Sequence, residues 1–139
     1  MKKPFVIFFV IFLIFSCNQK IEKDDIAYLN GYWEIEKVIL SDGEKKEYKI
    51  SETIDYFKID AGLGFRKKVL PQLDGTYIVN DQKENIKIIT IQNEFFVEYS
   101  TDYAKWKEKI VAVSNEKLVL KNEQNLEYHY KKPIPFSIK

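Results

Sequence analysis

Residues 86–122 read IKIITIQNEFFVEYSTDYAKWKEKIVAVSNEKLVLKN, and this stretch decides the fold. It holds four short segments rich in Ile, Val, Phe and Tyr, separated by polar turn residues such as those at 92–94 and 115–116. Within the segments apolar and polar residues tend to alternate, and a period of two is typical of a half-buried β-strand. The stretch therefore predicts consecutive antiparallel strands joined by short turns.

The same pattern extends over the whole chain from Gly31 onward. No segment shows a sustained helical period, and turn residues such as Asp42-Gly43 and Asn80-Asp81 separate the apolar runs. We predict an all-β domain, a small antiparallel up-and-down β-barrel of about eight or nine strands, with a two-sheet sandwich as the alternative. The predicted strands are 31–40, 53–60, 65–70, 75–80, 86–91, 95–100, 105–114, 117–122 and 126–132.

Residues 1–17 have the pattern of an export segment. Two lysines precede an unbroken apolar run from Phe5 to Phe15, which is shorter than the roughly 20 residues of a membrane-spanning helix. The run ends in Ile14-Phe15-Ser16-Cys17, which resembles the lipobox of bacterial lipoproteins. The resemblance implies a lipidated Cys17 carrying acyl chains such as palmitate. The alternatives are an ordinary secretory signal and an anchor helix that is retained. The stretch Gln19 to Asp25 resembles the Lys- and acid-rich segments of some Bacteroidetes-type lipoproteins, with a plain solvated linker as the alternative.

The lipoprotein resemblance divides the chain into three parts. Residues 1–16 would be a cleaved signal peptide, 17–29 the lipidated cysteine with a flexible tether, and 30–139 the barrel domain. The tether is predicted because residues 18–29 are mostly polar and lack periodicity. The implied location is the outer membrane, with the domain facing the periplasm or the cell surface.

Composition argues against several function classes. The chain carries 22 basic and 21 acidic residues, and this near-neutral balance speaks against a nucleic-acid partner. It has one cysteine and one histidine, His129, which alternates away from Tyr128 and Tyr130 and is therefore predicted on the surface. A nucleophile would lack a buried base, and zinc would lack ligands. We expect no enzyme activity, no metal site and no cofactor.

Two triplets carry a second resemblance. Gly31-Tyr32-Trp33 begins the first predicted strand, and Thr101-Asp102-Tyr103 lies between the sixth and seventh. They resemble the G-x-W and T-D-Y triplets of the lipocalins. The resemblance implies that Trp33 closes the bottom of the barrel, that the 101–103 loop packs beside it, and that Asp102 accepts backbone N–H bonds within its turn. The family's arginine over the tryptophan, near the end of the eighth strand, is absent, since Lys121 and Asn122 occupy that region.

Strand alternation predicts which side chains face the interior. The first strand would turn Trp33 inward with its alternate neighbours, and the seventh would turn Trp106 and Ala112 inward. The candidate ligand-binding residues are Ile35, Lys37, Ile39, Phe95, Val97, Tyr99, Glu108, Ile110 and Tyr128. Because buried charges must be paired, Lys37 and Glu108 should contact each other or the polar group of a ligand, unless a bulge turns one of them outward.

The loops predict where the barrel opens. If the meander closes, the mouth loops are 41–52, 70–75, 92–94 and 114–117. The first is long and very polar, which fits either a lid or a plain solvated loop. The cluster Arg66-Lys67-Lys68 could meet an anionic ligand, or it could be an exposed strand edge on which lysines discourage aggregation.

Two functions remain open from the sequence. The first is binding or carriage of a small hydrophobic or amphipathic molecule by a membrane-anchored monomer. The second is a filled barrel that acts as an envelope protein through its surface, as an interaction or inhibitor module. A cavity of about 300 Å³ or more with an open mouth would favour the first, whereas an interior packed solid would favour the second.

Overall fold

The computed structural model describes residues 20–48 and 53–133. The predicted signal peptide, the lipidation site at Cys17 and part of the predicted lid, residues 49–52, lie outside the described residues. In the described ranges no helix is long and apolar enough to cross a membrane.

Within these ranges the chain forms one 3₁₀ helix, Lys23–Leu29, followed by nine strands. The strands are β1 (Gly31–Ile39), β2 (Lys45–Glu47), β3 (Ile54–Asp60), β4 (Leu63–Pro71), β5 (Tyr77–Ile91), β6 (Glu94–Ser100), β7 (Lys105–Val113), β8 (Lys117–Lys121) and β9 (Glu127–Lys131). All the pairings are antiparallel.

The sheet closes on itself. Each strand from β3 to β9 pairs with the next, β3 also pairs with β1, and β9 returns to pair with β1 along Glu34–Ile39. The short β2 adds to the C-terminal half of β1. β1 and β3 to β9 therefore form a closed up-and-down barrel, which confirms the predicted fold over the sandwich. Closure leaves few free sheet edges.

One predicted turn is wrong. Residues 75–80 and 86–91 were expected as two strands, but β5 runs unbroken from Tyr77 to Ile91. The register opposite β4 jumps from Lys67↔Lys83 to Val69↔Val79. Asn80 and Asp81 therefore lie in a β-bulge of β5. Asn and Asp are also common in turns, which explains why a turn was predicted here.

The merged strand changes the assignment of the loops to the two ends. Turns 61–62, 92–93 and 114–116 lie at one end of the barrel, and 40–44, 72–76, 101–104 and 122–126 lie at the other. The predicted mouth combined loops from both ends, because one extra strand reverses the direction of every strand after it. We call the first end the base and the second the mouth.

The core of the barrel consists of large buried side chains from several strands. Trp33, Phe57 and Tyr99 are fully buried together with Leu118 and Leu120. Gly64 allows β3 and β4 to approach closely, since a Cβ atom there would lie 1.8 Å from the Lys58 carbonyl oxygen.

The 3₁₀ helix closes the base and corrects the predicted tether. Its Ile26 and Leu29 are buried in the same core, and Ile21 packs against it. The Trp33 indole Nε1 donates to the Leu29 carbonyl at 2.9 Å. Asn30 exchanges two hydrogen bonds with the Ile59 backbone, of 3.1 and 2.6 Å. The described elements run from Lys23 to Lys131, so the folded domain begins before residue 30.

Trp33 does carry a cation over its ring. The Nζ atom of Lys132, directly after β9, lies 3.8 Å from the ring centroid. Burial lowers the pKa of this lysine. Without β2, β9 is the eighth strand of the barrel, so the cation near the end of the eighth strand is Lys132, and Lys121 and Asn122 belong to the seventh strand and the turn after it.

The 101–103 loop lies at the mouth, away from Trp33. It connects β6 to β7, which without β2 are the fifth and sixth strands of the barrel, and Tyr103 is 97% exposed. The Thr101 hydroxyl accepts the backbone N–H groups of Tyr103 and Ala104 at 3.2 and 3.1 Å. Thr101, and not Asp102, therefore accepts the backbone N–H groups of this turn.

Candidate functional site

An open cavity of about 370 Å³ lies in the upper half of the barrel, and we call it the mouth cavity. Its inner residues are Asp55, Arg66, Trp106, Glu108, Tyr128 and Tyr130, and its rim residues are Lys68, Lys107, Asn122, Glu123 and Gln124. An adjoining space of about 220 Å³ shares Asp55, Lys68 and the two tyrosines, and reaches Ile35 and Val38. Aromatic side chains therefore surround the charged side chains of Asp55, Arg66 and Glu108, which we call the floor of the cavity.

Arg66 occupies the centre of the floor. One guanidinium nitrogen pairs with Glu84, and the other lies 3.8 Å from Glu108 Oε1. The guanidinium carbon lies 4.2 Å from the Tyr99 ring centroid. Burial alone would lower the pKa of Arg66, but Tyr99, Asp55 and Glu84 raise it above its ordinary value. Arg66 is therefore a permanent buried cation.

Glu108 is the most deeply buried carboxylate of the cavity, with 8% of its side chain exposed. Burial raises its pKa, while the Tyr99 hydroxyl and Arg66 act in the opposite direction. The 3.8 Å to Arg66 is an ion-pair distance but too long for a hydrogen bond. Arg66 therefore stabilises Glu108 through an ion-pair contact and not through a hydrogen bond.

Asp55 completes the floor from β3. It is buried, and its Oδ1 lies 3.9 Å from Lys68 Nζ, whose side chain is 61% exposed at the rim. Among the described residues, buried Arg66 thus meets two carboxylates that line the cavity, those of Asp55 and Glu108, and a third, that of Glu84, outside the cavity lining.

Two solved bacterial structures resemble this chain. A lipocalin-like protein from Bacteroides uniformis ATCC 8492 has 14% sequence identity and a TM-score of 0.47, with 76% of this chain and 99% of that chain covered. An uncharacterized protein from Bacteroides eggerthii DSM 20697 has 11% identity and a TM-score of 0.48, with the same coverage. No protein-family model and no curated protein matches the chain. The barrel assignment rests on this chain's own strand pairing.

The structure divides the predicted ligand-binding residues into three groups. Glu108 and Tyr128 line the mouth cavity, and Ile35 lines the adjoining space. Val97, Tyr99 and Ile110 are buried in the core below. Phe95 packs against the core near the base, beside the 3₁₀ helix.

Lys37 and Ile39 do not line the cavity. The register against β9 shifts between Ile35 and Lys37, so Val38 becomes the buried residue. Lys37 then pairs across the sheet with exposed Glu47, whereas Glu108 pairs with Arg66. The predicted contact between Lys37 and Glu108 is therefore wrong, and the alternative, a bulge, is confirmed. A similar shift between Ile110 and Ala112 exposes Ala112.

Sequence reasoning missed Arg66, Asp55 and Glu84. Arg66 was grouped with two lysines as a possible strand edge, yet it lies inside, while Lys67 lies on the outer face near Phe65. A signal existed in β3, where Asp55 alternates with buried Phe57 and Ile59. A buried acid on one strand requires a cation from a neighbouring one, and Arg66 is the chain's single arginine.

Proposed function

We propose that the chain is a lipocalin-like, membrane-anchored lipoprotein of the outer membrane whose mouth cavity binds a small amphipathic molecule. The observation that carries the proposal is an open cavity of ligand size at the mouth of the barrel, lined by charged groups and aromatic rings. Ligand pockets occupy about 300–1,000 Å³, and the mouth cavity, at about 370 Å³, falls at the lower end of that range.

The shape of the cavity limits the ligand. The fully buried side chains of Trp33, Phe57 and Tyr99 occupy part of the barrel interior, which leaves little length for a long acyl chain. The floor offers charged groups, and Trp106, Tyr128 and Tyr130 offer ring surfaces. These features favour a compact ligand with both a polar and an apolar part.

The anchor in this proposal is supported by sequence. A basic start, an apolar run and the Ile14–Cys17 segment have the order of a lipoprotein export signal. Acyl chains contribute about 0.8 kcal/mol per buried methylene, and two or more chains give stable anchoring.

Native mass spectrometry tests the binding function. We expect residues 18–139, purified from the producing organism, to carry a small bound molecule. Lys68→Trp should displace it by filling the mouth, because Lys68 borders both cavities. The matched control is Lys67→Trp on the outer face, which should keep it. Equal retention by the two variants, or the absence of any bound molecule from the unaltered protein, would contradict the proposal.

A second function, a protein-interaction surface, is favoured by one observation. The β4–β5 hairpin exposes apolar side chains at its tip, including Leu70, Ile78 and Val79, and Leu73 is 71% exposed. Cross-linking in intact cells should capture a partner that Leu73→Ser loses. The control Leu63→Ser, at the other end of β4, should keep it. Failure of the unaltered protein to capture any partner argues against this second function.

A further inference from the structure

The charges at the floor of the mouth cavity do not balance. Arg66 faces Asp55, Glu84 and Glu108, and each of the four side chains is mostly buried. Lys68 pairs with Asp55, but it is largely exposed at the rim, where solvent and salt screen its charge. One buried cation therefore faces three carboxylates, and negative charge is in excess. Because buried charges are stable only when they are paired, this excess requires a further positive charge.

Arg66 is poorly placed to attract an anion. Its two terminal nitrogens face Glu84 and Glu108, and one side of its plane lies against the Tyr99 ring. Its remaining nitrogen, Nε, is inaccessible to solvent. A carboxylate that entered the cavity would therefore meet Asp55 and Glu108 before it met a free guanidinium nitrogen.

The walls supply the second requirement of a cation site. Trp106, Tyr128 and Tyr130 line the same cavity as Glu108. The faces of aromatic rings attract organic cations, more strongly where water is excluded. In the described residues no group of His, Cys, Asp or Glu is arranged to hold a metal ion.

We propose that the mouth cavity binds a small organic cation, an inference that rests on the proposed binding function. Its ammonium group would lie between Glu108 and Asp55, and its apolar part would lie against Trp106 and Tyr128. The ligand would thereby supply the positive charge that the floor lacks.

The test uses three probes of similar size and different charge. These are 2-phenylethylammonium, 3-phenylpropanoate and 2-phenylethanol, titrated into residues 18–139 at pH 7 by calorimetry and by tryptophan fluorescence. We expect the ammonium to bind about tenfold or more tightly than the carboxylate, the magnitude of one charge-assisted hydrogen bond.

Variants locate the site. Glu108→Gln should weaken ammonium binding by about tenfold, and Asp55→Asn should weaken it in the same direction. The control Glu94→Gln removes a carboxylate that pairs with Lys109 at 2.8 Å outside the cavity, and it should leave binding unchanged. Circular dichroism verifies that each variant is folded, and the Asp55 variant serves if the Glu108 variant is not.

The outcomes separate the two proposals. If the alcohol or the carboxylate binds as tightly as the ammonium, the cation inference is overturned while the binding function stands. If no probe binds, both are overturned. Equal losses in the folded Glu108 and Glu94 variants would also overturn the inference, since the ammonium would not be held in the mouth cavity.

Discussion

Replacing Arg66 by Met would test the charged floor directly. Met keeps much of the unbranched side-chain volume against Phe57 and Tyr99 but removes the cation. Glu84 and Glu108 would then remain buried without their cation, and Asp55 would keep only the exposed Lys68. Breaking a buried ion pair by removing one partner costs about 3–5 kcal/mol, and we expect a loss of that size in the free energy of unfolding at pH 7.

The pH dependence separates charge from packing. Arg66 lowers the pKa of Glu108, so its removal raises that pKa further above the ordinary value of 4.5. A carboxyl with a raised pKa binds protons more readily in the folded state, so its stabilising contribution is complete below pH 4.5 and is lost as the pH rises through the folded pKa. The deficit of Arg66→Met should therefore shrink toward pH 4.5.

Urea denaturation from pH 4 to pH 8, monitored by circular dichroism, measures this deficit. Arg66→Lys is the companion variant, since it keeps a charge and should lose less stability than Arg66→Met. A deficit that stays constant across the pH range would refute the reasoning, because it would show that Arg66 contributes through packing alone.

Three further substitutions test other parts of the molecule. Gly64→Ala should cost about 2–3 kcal/mol in urea denaturation, since its Cβ would lie 1.8 Å from the Lys58 oxygen, and an unchanged midpoint would contradict the close approach. Lys132→Met should lower stability by about 1 kcal/mol and alter the fluorescence of Trp33; a silent substitution would show that the cation over the ring contributes nothing. Cys17→Ser in the full chain should move the protein from the membrane to the soluble fraction without unfolding the barrel, and unchanged fractionation would exclude the lipid anchor.

Much of the fold could be predicted because strand alternation is a local signal. The eight barrel strands were located from alternation and turn residues, apart from the division of β5 at Asn80-Asp81. That error has a physical cause, since a bulge and a turn use the same residue types and differ only in what the partner strand does. The 3₁₀ helix at the base, which we call the helical plug, was not predicted because its seven residues are too few to show a helical period.

The candidate site could be predicted only in part. Glu108 and Tyr128 were found because β7 and β9 keep their alternation up to the cavity. Lys37 and Ile39 were misplaced because the bulge in β1 shifts every later side chain by one. Arg66 escaped because its environment comes from Glu84, Glu108 and Tyr99 on three other strands, and sequence neighbours do not show such contacts.

The helical plug also restricts how an anchored molecule could stand. Lys20 begins the described chain at the base, and the three peptide units from Cys17 span at most about 10 Å. If Cys17 is acylated, the barrel would rest plug-down on the lipid headgroups, with its opening directed away from the bilayer. A ligand would then enter the mouth cavity from the aqueous compartment. A bound ligand would have to be released into water before it could reach the bilayer.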